Sequence, residues 1–136
     1  TDLDKDYQDA VLKVRPKLNV FDANLVKGWK IEAKLYDAAG QSVLSSPMGM
    51  DAQGLLQEEI RYSNSPLQVW MMQTVKQPQK WSAETPYLYT LTISLLNDKG
   101  EVQEVKSTKI GFREVGVSAE GELLVNGQVV LLYGVN

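Results

Sequence analysis

The chain has no cysteine and no histidine among its 136 residues. Without cysteine it cannot form a disulfide framework, a thiolate metal ligand or a cysteine nucleophile. Without histidine it lacks the commonest general base, the commonest zinc ligand and any Ser–His catalytic pair. The usual nucleophilic and zinc-dependent mechanisms are therefore excluded for these residues.

Strong net charge and long hydrophobic runs are also missing. The net charge is −3 and the lysines are scattered, so there is no basic stripe and no nucleic-acid partner is predicted. No segment has the pattern of a signal peptide or the apolar length of a membrane span, so no membrane partner is predicted. The bacterial cytoplasm and the periplasm both remain open as compartments.

What the sequence does contain is a series of short strand patterns, about ten residues apart, with turn residues between them. The clearest alternations of apolar and polar residues run from Trp29 to Tyr36 and from Tyr89 to Leu95. An apolar content of 43% is enough for one hydrophobic core. These features predict an all-β, immunoglobulin-like (fibronectin III-like) antiparallel sandwich.

The middle of the chain is less regular. Proline and glycine interrupt Ser45–Ser65, where we expect a long loop and a short edge strand, and no helical pattern of three turns is recognised there or elsewhere. The run from Leu67 to Val75 is apolar on both faces. It is interpreted as a strand whose outer face contacts another domain.

Two local motifs predict particular structures. Pro86 followed by Tyr89 at the start of a strand is typical of a tyrosine corner, in which the phenol bonds to upstream backbone. Asn126-Gly127 between two apolar runs is typical of a type I′ hairpin turn, which needs positive φ at both residues. We expect the hairpin either to pack on its own sandwich or to mediate a dimer.

The run from Val129 to Val135 is too apolar to stand in water alone, and we expect it to be covered by a larger protein of which this chain is a domain. The predicted division is residues 1–115 as the sandwich and residues 116–136 as a hairpin linker with a C-terminal hairpin extension.

The carboxylates suggest a calcium site and a catalytic carboxylate pair, but the neighbouring residues favour neither. Asp2, Asp4 and Asp6 have the opening spacing of a calcium loop, but Tyr7 and Lys13 occupy the places of its glycine and bidentate glutamate, so no metal site is predicted. Glu58 and Glu59 are adjacent, so in an extended strand they point to opposite faces. They cannot then form the carboxylate pair that glycoside hydrolysis needs.

The remaining candidates also favour structural roles. Glu84 is expected to accept backbone N–H bonds, and Arg113 and Glu114 to form an exposed ion pair. The three tryptophans could stack against sugars, but packing in the core or at a domain interface is favoured for each (Trp29, Trp70 and Trp81). No catalytic residue, cofactor site or metal ligand is predicted.

Several motifs in the second half of the chain carry a family resemblance. They are Trp81-Ser82-Ala83-Glu84-Thr85-Pro86-Tyr87-Leu88-Tyr89, then Gly111-Phe112-Arg113, then Asn126-Gly127 and Gly134-Val135-Asn136. The motifs from Gly111 onward resemble the junction at which the immunoglobulin-like domain of glycoside hydrolase family 2 enzymes leads into the catalytic barrel, and the Trp81–Tyr89 motif resembles the W-S-x-E-x-P-x-L-Y segment of the same family. Within that family, the motif sequences are most similar to those of the bacterial β-galactosidase branch.

The resemblance implies a structural role for these motif residues and a catalytic role for none. It implies that the catalytic glutamates lie in the barrel and that partners are the jelly-roll and barrel domains of the same parent chain, with homo-oligomer contacts in addition. A parent of the β-glucuronidase or β-mannosidase type is an alternative. From a different class, a free-standing carbohydrate-binding or adhesion sandwich is a further alternative.

Overall fold

The computed structural model describes residues 1–61 and 70–132, and for residues 57–61 it describes the backbone alone. The β-strand is the predominant regular element. In chain order the elements are β1 (Asp2–Leu3), β2 (Ala10–Val14), a 3₁₀ turn (Ala23–Val26), β3 (Lys30–Tyr36), β4 (Met48–Asp51), α1 (Ala52–Arg61), β5 (Met71–Val75), β6 (Tyr89–Leu96), β7 (Val102–Ile110), β8 (Val115–Val117), β9 (Leu123–Val125) and β10 (Gln128–Val129).

Two antiparallel sheets form the sandwich. One has three strands in the order β1-β2-β5, and the other has four in the order β4-β3-β6-β7. Alternate residues of β2, β3 and the start of β6 point inward and are buried, among them Leu12, Leu35 and Leu91. This period of two is what a sheet with one dry face requires. The prediction of an all-β sandwich is confirmed.

The tyrosine corner is also confirmed. The Tyr89 phenol oxygen accepts a hydrogen bond from the backbone N–H of Gln79 at 2.8 Å, and the residue is only 4% exposed. Burial raises the pKa of the phenol, which keeps it neutral. Its ring packs edge-on against Tyr87 and Phe112, with centroids 5.0 and 5.1 Å away. The corner thus links the β5–β6 connection to the core.

The irregular middle contains an element that the sequence analysis missed. The expected edge strand is present as β4, but the α-helix α1 follows it directly where a loop was predicted. Ala52, Leu55 and Leu56 are buried, which is the spacing of one helical face. Asp51 precedes the helix, and its carboxylate accepts the Gly54 N–H. Gly54 within the first turn obscured this short pattern.

Strand β5 covers only part of the apolar run from Leu67 to Val75, whose first residues lie outside the described part. Within β5, Met71 and Val75 are buried, while Met72 is 61% exposed. The outer face of β5 therefore exposes one apolar side chain, Met72, beside the polar Thr74, and its contact with another domain stays a prediction. None of the helices in the described ranges is long and apolar enough to cross a membrane.

Beyond the sandwich, β8, β9 and β10 form a small third sheet in the order β10-β9-β8. Asn126 and Gly127 connect β9 to β10 with φ of 51° and 76°, so the predicted type I′ turn is confirmed. Strand β8 begins at Val115, and the division of the chain into residues 1–115 and 116–136 stays a prediction.

Candidate functional site at the Trp81 junction

The structure brings most of the motif residues together at one end of the sandwich, around Trp81. The Trp81 N–H donates to the Phe112 carbonyl at 2.9 Å, which ties the segment before β6 to the segment after β7. Phe112 is fully buried beneath this bond. Gly111 lies against the Trp81 side chain, where a larger residue would be crowded. We call this set of contacts the Trp81 junction.

Arg113 lies over the Trp81 indole, with its guanidinium carbon 4.6 Å from the ring centroid. A guanidinium on an indole face is a cation–π contact. The predicted ion pair with Glu114 is wrong, because the ion pairs found within the described residues do not include Arg113. The indole face, rather than a neighbouring carboxylate, positions this cation.

Asn126 docks the third sheet on the sandwich. Its side-chain N–H donates to the Trp81 carbonyl at 3.0 Å, and its side-chain oxygen accepts the Glu114 N–H at 3.0 Å. Its own backbone N–H donates to the Glu114 carbonyl at 2.9 Å. Asparagine tolerates positive φ and offers both a donor and an acceptor, so it can form the turn and the bridge at once. The hairpin turn therefore packs on its own sandwich.

Gly127 brings the N-terminal segment into the same junction. A Cβ on Gly127 would lie 2.8 Å from the Tyr7 ring, so this ring packs directly on the glycine. Tyr7 itself has a φ of 55° and lies within a turn in which the Asp4 carboxylate accepts the N–H groups of Gln8 and Asp9. These bonds lower the pKa of Asp4. No sequence pattern predicts this contact, because Tyr7 and Gly127 lie at opposite ends of the chain.

A groove of about 540 Å³ opens beside the junction, between the segment after Trp81 and the β9–β10 hairpin. Glu84 lines it and is exposed. The expected role of Glu84 as an acceptor for the local backbone is wrong, since the Ser82 hydroxyl accepts the Thr85 N–H at 3.1 Å instead. Leu131 lines the groove as well, and Leu131 and Leu132, which follow β10, are 73% and 78% exposed.

The arrangement can hold segments in place, but it has no recognisable catalytic chemistry. In the described ranges no cluster of acidic residues could hold a metal ion. Asp2 pairs with Lys13 instead, which lowers the pKa of its carboxyl. The side chains of Glu58 and Glu59 lie outside the described residues, as do Gly134 and Asn136. Pro86 is exposed at the start of the tyrosine corner.

The tryptophans occupy three different environments. Trp29 is half-buried against the core, as predicted, and Trp81 is half-buried at the junction. Trp70 is 41% exposed, so its packing in the core is ruled out. Packing of Trp70 at a domain interface stays a prediction.

An immunoglobulin-like sandwich with a docked C-terminal hairpin is the class that this geometry defines. The sequence model for glycosyl hydrolases family 2 matches residues 1–113, and the chain belongs to that family. Over 135 residues, 98% of this chain, it is 38% identical to a β-galactosidase of Priestia megaterium. It spans only 12% of that relative's length.

Solved structures of similar fold come from related enzymes. A β-glycosidase from Bacteroides vulgatus superposes with a TM-score of 0.71 at 18% identity, over 96% of this chain and 14% of that one. A β-glucuronidase from Parabacteroides merdae superposes with a TM-score of 0.64 at 17% identity, over 98% and 15% respectively. At these identities the likeness shows the fold alone.

Proposed function

We propose that this chain is a non-catalytic, immunoglobulin-like domain of a β-galactosidase, and that the whole protein hydrolyses terminal β-galactosides. The observation that carries the proposal is the 38% identity to a β-galactosidase along 98% of the chain. The superposed β-glucuronidase is only 17% identical and therefore supports the fold but not that activity. The chain spans 12% of that relative's length, and the family resemblance assigns catalysis to a barrel outside these residues.

The role proposed for the domain is to position other domains of the same chain. Support comes from the Trp81 junction, where the N-terminal segment, the sandwich and the third sheet are bonded together. The exposed apolar side chains of the third sheet also support it, because such residues in a cluster mark interaction surfaces. Val117 of β8 is 70% exposed, and Leu131 and Leu132, which follow β10, are 73% and 78% exposed.

The activity can be tested with three nitrophenyl glycosides, a β-galactoside, a β-glucuronide and a β-mannoside, offered to the full-length protein that contains this chain. We expect the β-galactoside to be turned over at the highest kcat/KM. Preference for either of the other two would reassign the parent within the family.

The role of the domain is tested on the 136-residue chain by itself. We expect it to release no nitrophenol from any of the three substrates. Turnover that is lost on mutating Glu58, Glu59 or Glu84 would overturn the non-catalytic assignment. Saturable binding of galactosides, followed by tryptophan fluorescence and abolished by Trp81→Ala, would instead favour a carbohydrate-binding module.

A further inference from the structure

Strand β7 (Val102–Ile110) is the last strand of the four-stranded sheet, and it pairs only with β6 in the described part of the chain. Its residues 102–109 are all exposed. They include Val102 and Val105, which are 56% and 53% exposed. A long free strand edge is a template for pairing with another strand.

Two of the three charged residues of β7 lie close to its centre. Glu104 and Lys106 pair with Leu95 and Ile93 of β6, so their side chains lie on the same face of the sheet. They form an ion pair at 3.2 Å, and both side chains remain mostly exposed to solvent. An exposed pair of this kind contributes little by itself, so both groups are free to form other pairs.

A two-fold axis perpendicular to the sheet would pair β7 with β7 of a second copy in antiparallel fashion. Such an axis leaves each face of the sheet on its own side, so a residue can pair only with a residue whose side chain lies on that same face. The possible registers therefore differ from one another by steps of two residues. When Val105 lies opposite the second copy's Val105, Glu104 of each copy lies opposite Lys106 of the other.

The neighbouring registers are unfavourable. In the register centred one residue earlier, Glu104 of one copy lies opposite Glu104 of the other. In the register centred one residue later, Lys106 lies opposite Lys106. Like charges directly opposite each other destabilise a strand pair, whereas opposite charges stabilise it. The charge pattern of β7 therefore favours the Val105-centred register over the two registers beside it.

We infer that β7 is a self-recognition edge, through which a second copy of this chain joins the two four-stranded sheets into one continuous sheet. Charges on an edge strand usually prevent such pairing. Here they are arranged so that a second copy, in the Val105-centred register, satisfies them. The irregularity between Leu95 and Leu96 leaves Gln103 as the extra residue of β7, so the regular pairing with β6 begins at Glu104, directly before Val105.

This inference goes beyond the proposed function and does not depend on it. Sedimentation equilibrium of the 136-residue chain at low salt tests it with Glu104→Lys, Lys106→Glu and the double exchange. Each single exchange makes both cross-strand pairs like-charged and should raise the dimer dissociation constant roughly tenfold. The double exchange restores opposite charges and should return the constant to within about threefold of the parent value.

Glu120→Lys is the control for net charge, because Glu120 is exposed in the turn between β8 and β9 and should leave the dimer unchanged. Thermal melting of every variant verifies that the sandwich is folded. A chain that stays monomeric at the highest concentration reached, or single exchanges that behave like the parent, would overturn the inference.

The register has its own test, since the chain has no natural cysteine. Val105→Cys should form a disulfide-linked dimer under mild oxidation, because the two side chains lie directly opposite each other. Ser107→Cys on the same face should not, as its counterpart lies further along the strand. Equal cross-linking of the two variants would contradict the Val105-centred register.

Discussion

Gly111 lies so close to Trp81 that a Cβ on the glycine would come within 3.0 Å of the tryptophan Cβ and 3.3 Å of its Cγ. The Trp81 backbone has no room to withdraw, because its N–H is bonded to Phe112 and its carbonyl to Asn126. The glycine of the Gly-Phe-Arg motif is therefore required by the approach of the indole. It is not required by backbone conformation, since Gly111 has no positive φ.

We therefore expect Gly111→Ala to lower the free energy of unfolding by about 1–3 kcal/mol through overpacking. Gly116→Ala in β8 is the matched control, because a Cβ there has nothing within 4 Å. Chemical denaturation of both variants measures the difference. Equal losses would mean that the close contact at Trp81 is relieved at no cost.

Gly127→Ala should cost more than an alanine at another glycine of positive φ. Gly121 has a φ of 87° and open space around its Cβ position, so Gly121→Ala reports backbone strain alone, at about 1–2 kcal/mol. Gly127→Ala adds the clash with the Tyr7 ring, at about 1–3 kcal/mol more. In a Tyr7→Ala background this extra loss should disappear. Its persistence there would show that Tyr7 is not what restricts Gly127.

Tyr89→Phe removes one buried hydrogen bond, leaves the Gln79 N–H without its partner, and should cost about 1–2 kcal/mol. Thr92→Val, on the outer face of β6, should cost little. Leu91→Ala should be worse than either, at about 2–5 kcal/mol, because it leaves a cavity in the core. Urea midpoints rank the three, and equal effects of the first two would mean that the register of β6 is wrongly assigned.

Asp9 should make stability sensitive to acid. Its carboxylate accepts hydrogen bonds from Lys76 and from the Gln77 N–H, and these bonds lower its pKa in the folded chain. The unfolded chain then binds the proton more readily, so the contribution is fully present above about pH 4 and is lost as pH falls through the folded pKa.

Asp9→Asn should therefore lower stability at neutral pH and reduce its fall between roughly pH 5 and pH 2. Asp6→Asn is the control, since no side-chain hydrogen bond of Asp6 is present in the described part of the chain. Melting temperatures across this pH range compare the two. An unchanged acid slope in Asp9→Asn would remove Asp9 from the acid-sensitive groups.

The sequence predicted those parts of the fold that depend on local chemistry. The alternation of Leu91 and Thr92, the phenol of Tyr89 and the turn at Asn126-Gly127 each follow from a short-range rule. Helix α1 was missed because Gly54 interrupts a pattern too short to be recognised by period alone.

The junction itself was predicted as separate motifs and not as a site. That Arg113 would contact the Trp81 ring rather than Glu114 depends on how two distant segments meet. The packing of Tyr7 on Gly127 depends on the same meeting, and no periodicity or turn rule reports it. Long-range contacts of this kind follow only from the assembled sheets.

The contact between Tyr7 and Gly127 spans most of the sequence and so has a kinetic consequence. Closing so large a loop is entropically costly, and this contact should form after the two sheets have already condensed. Interactions absent from the folding transition state control the rate of unfolding and leave the rate of folding nearly unchanged. The Tyr7 ring would then slow the unfolding of the domain and so determine the lifetime of its folded state.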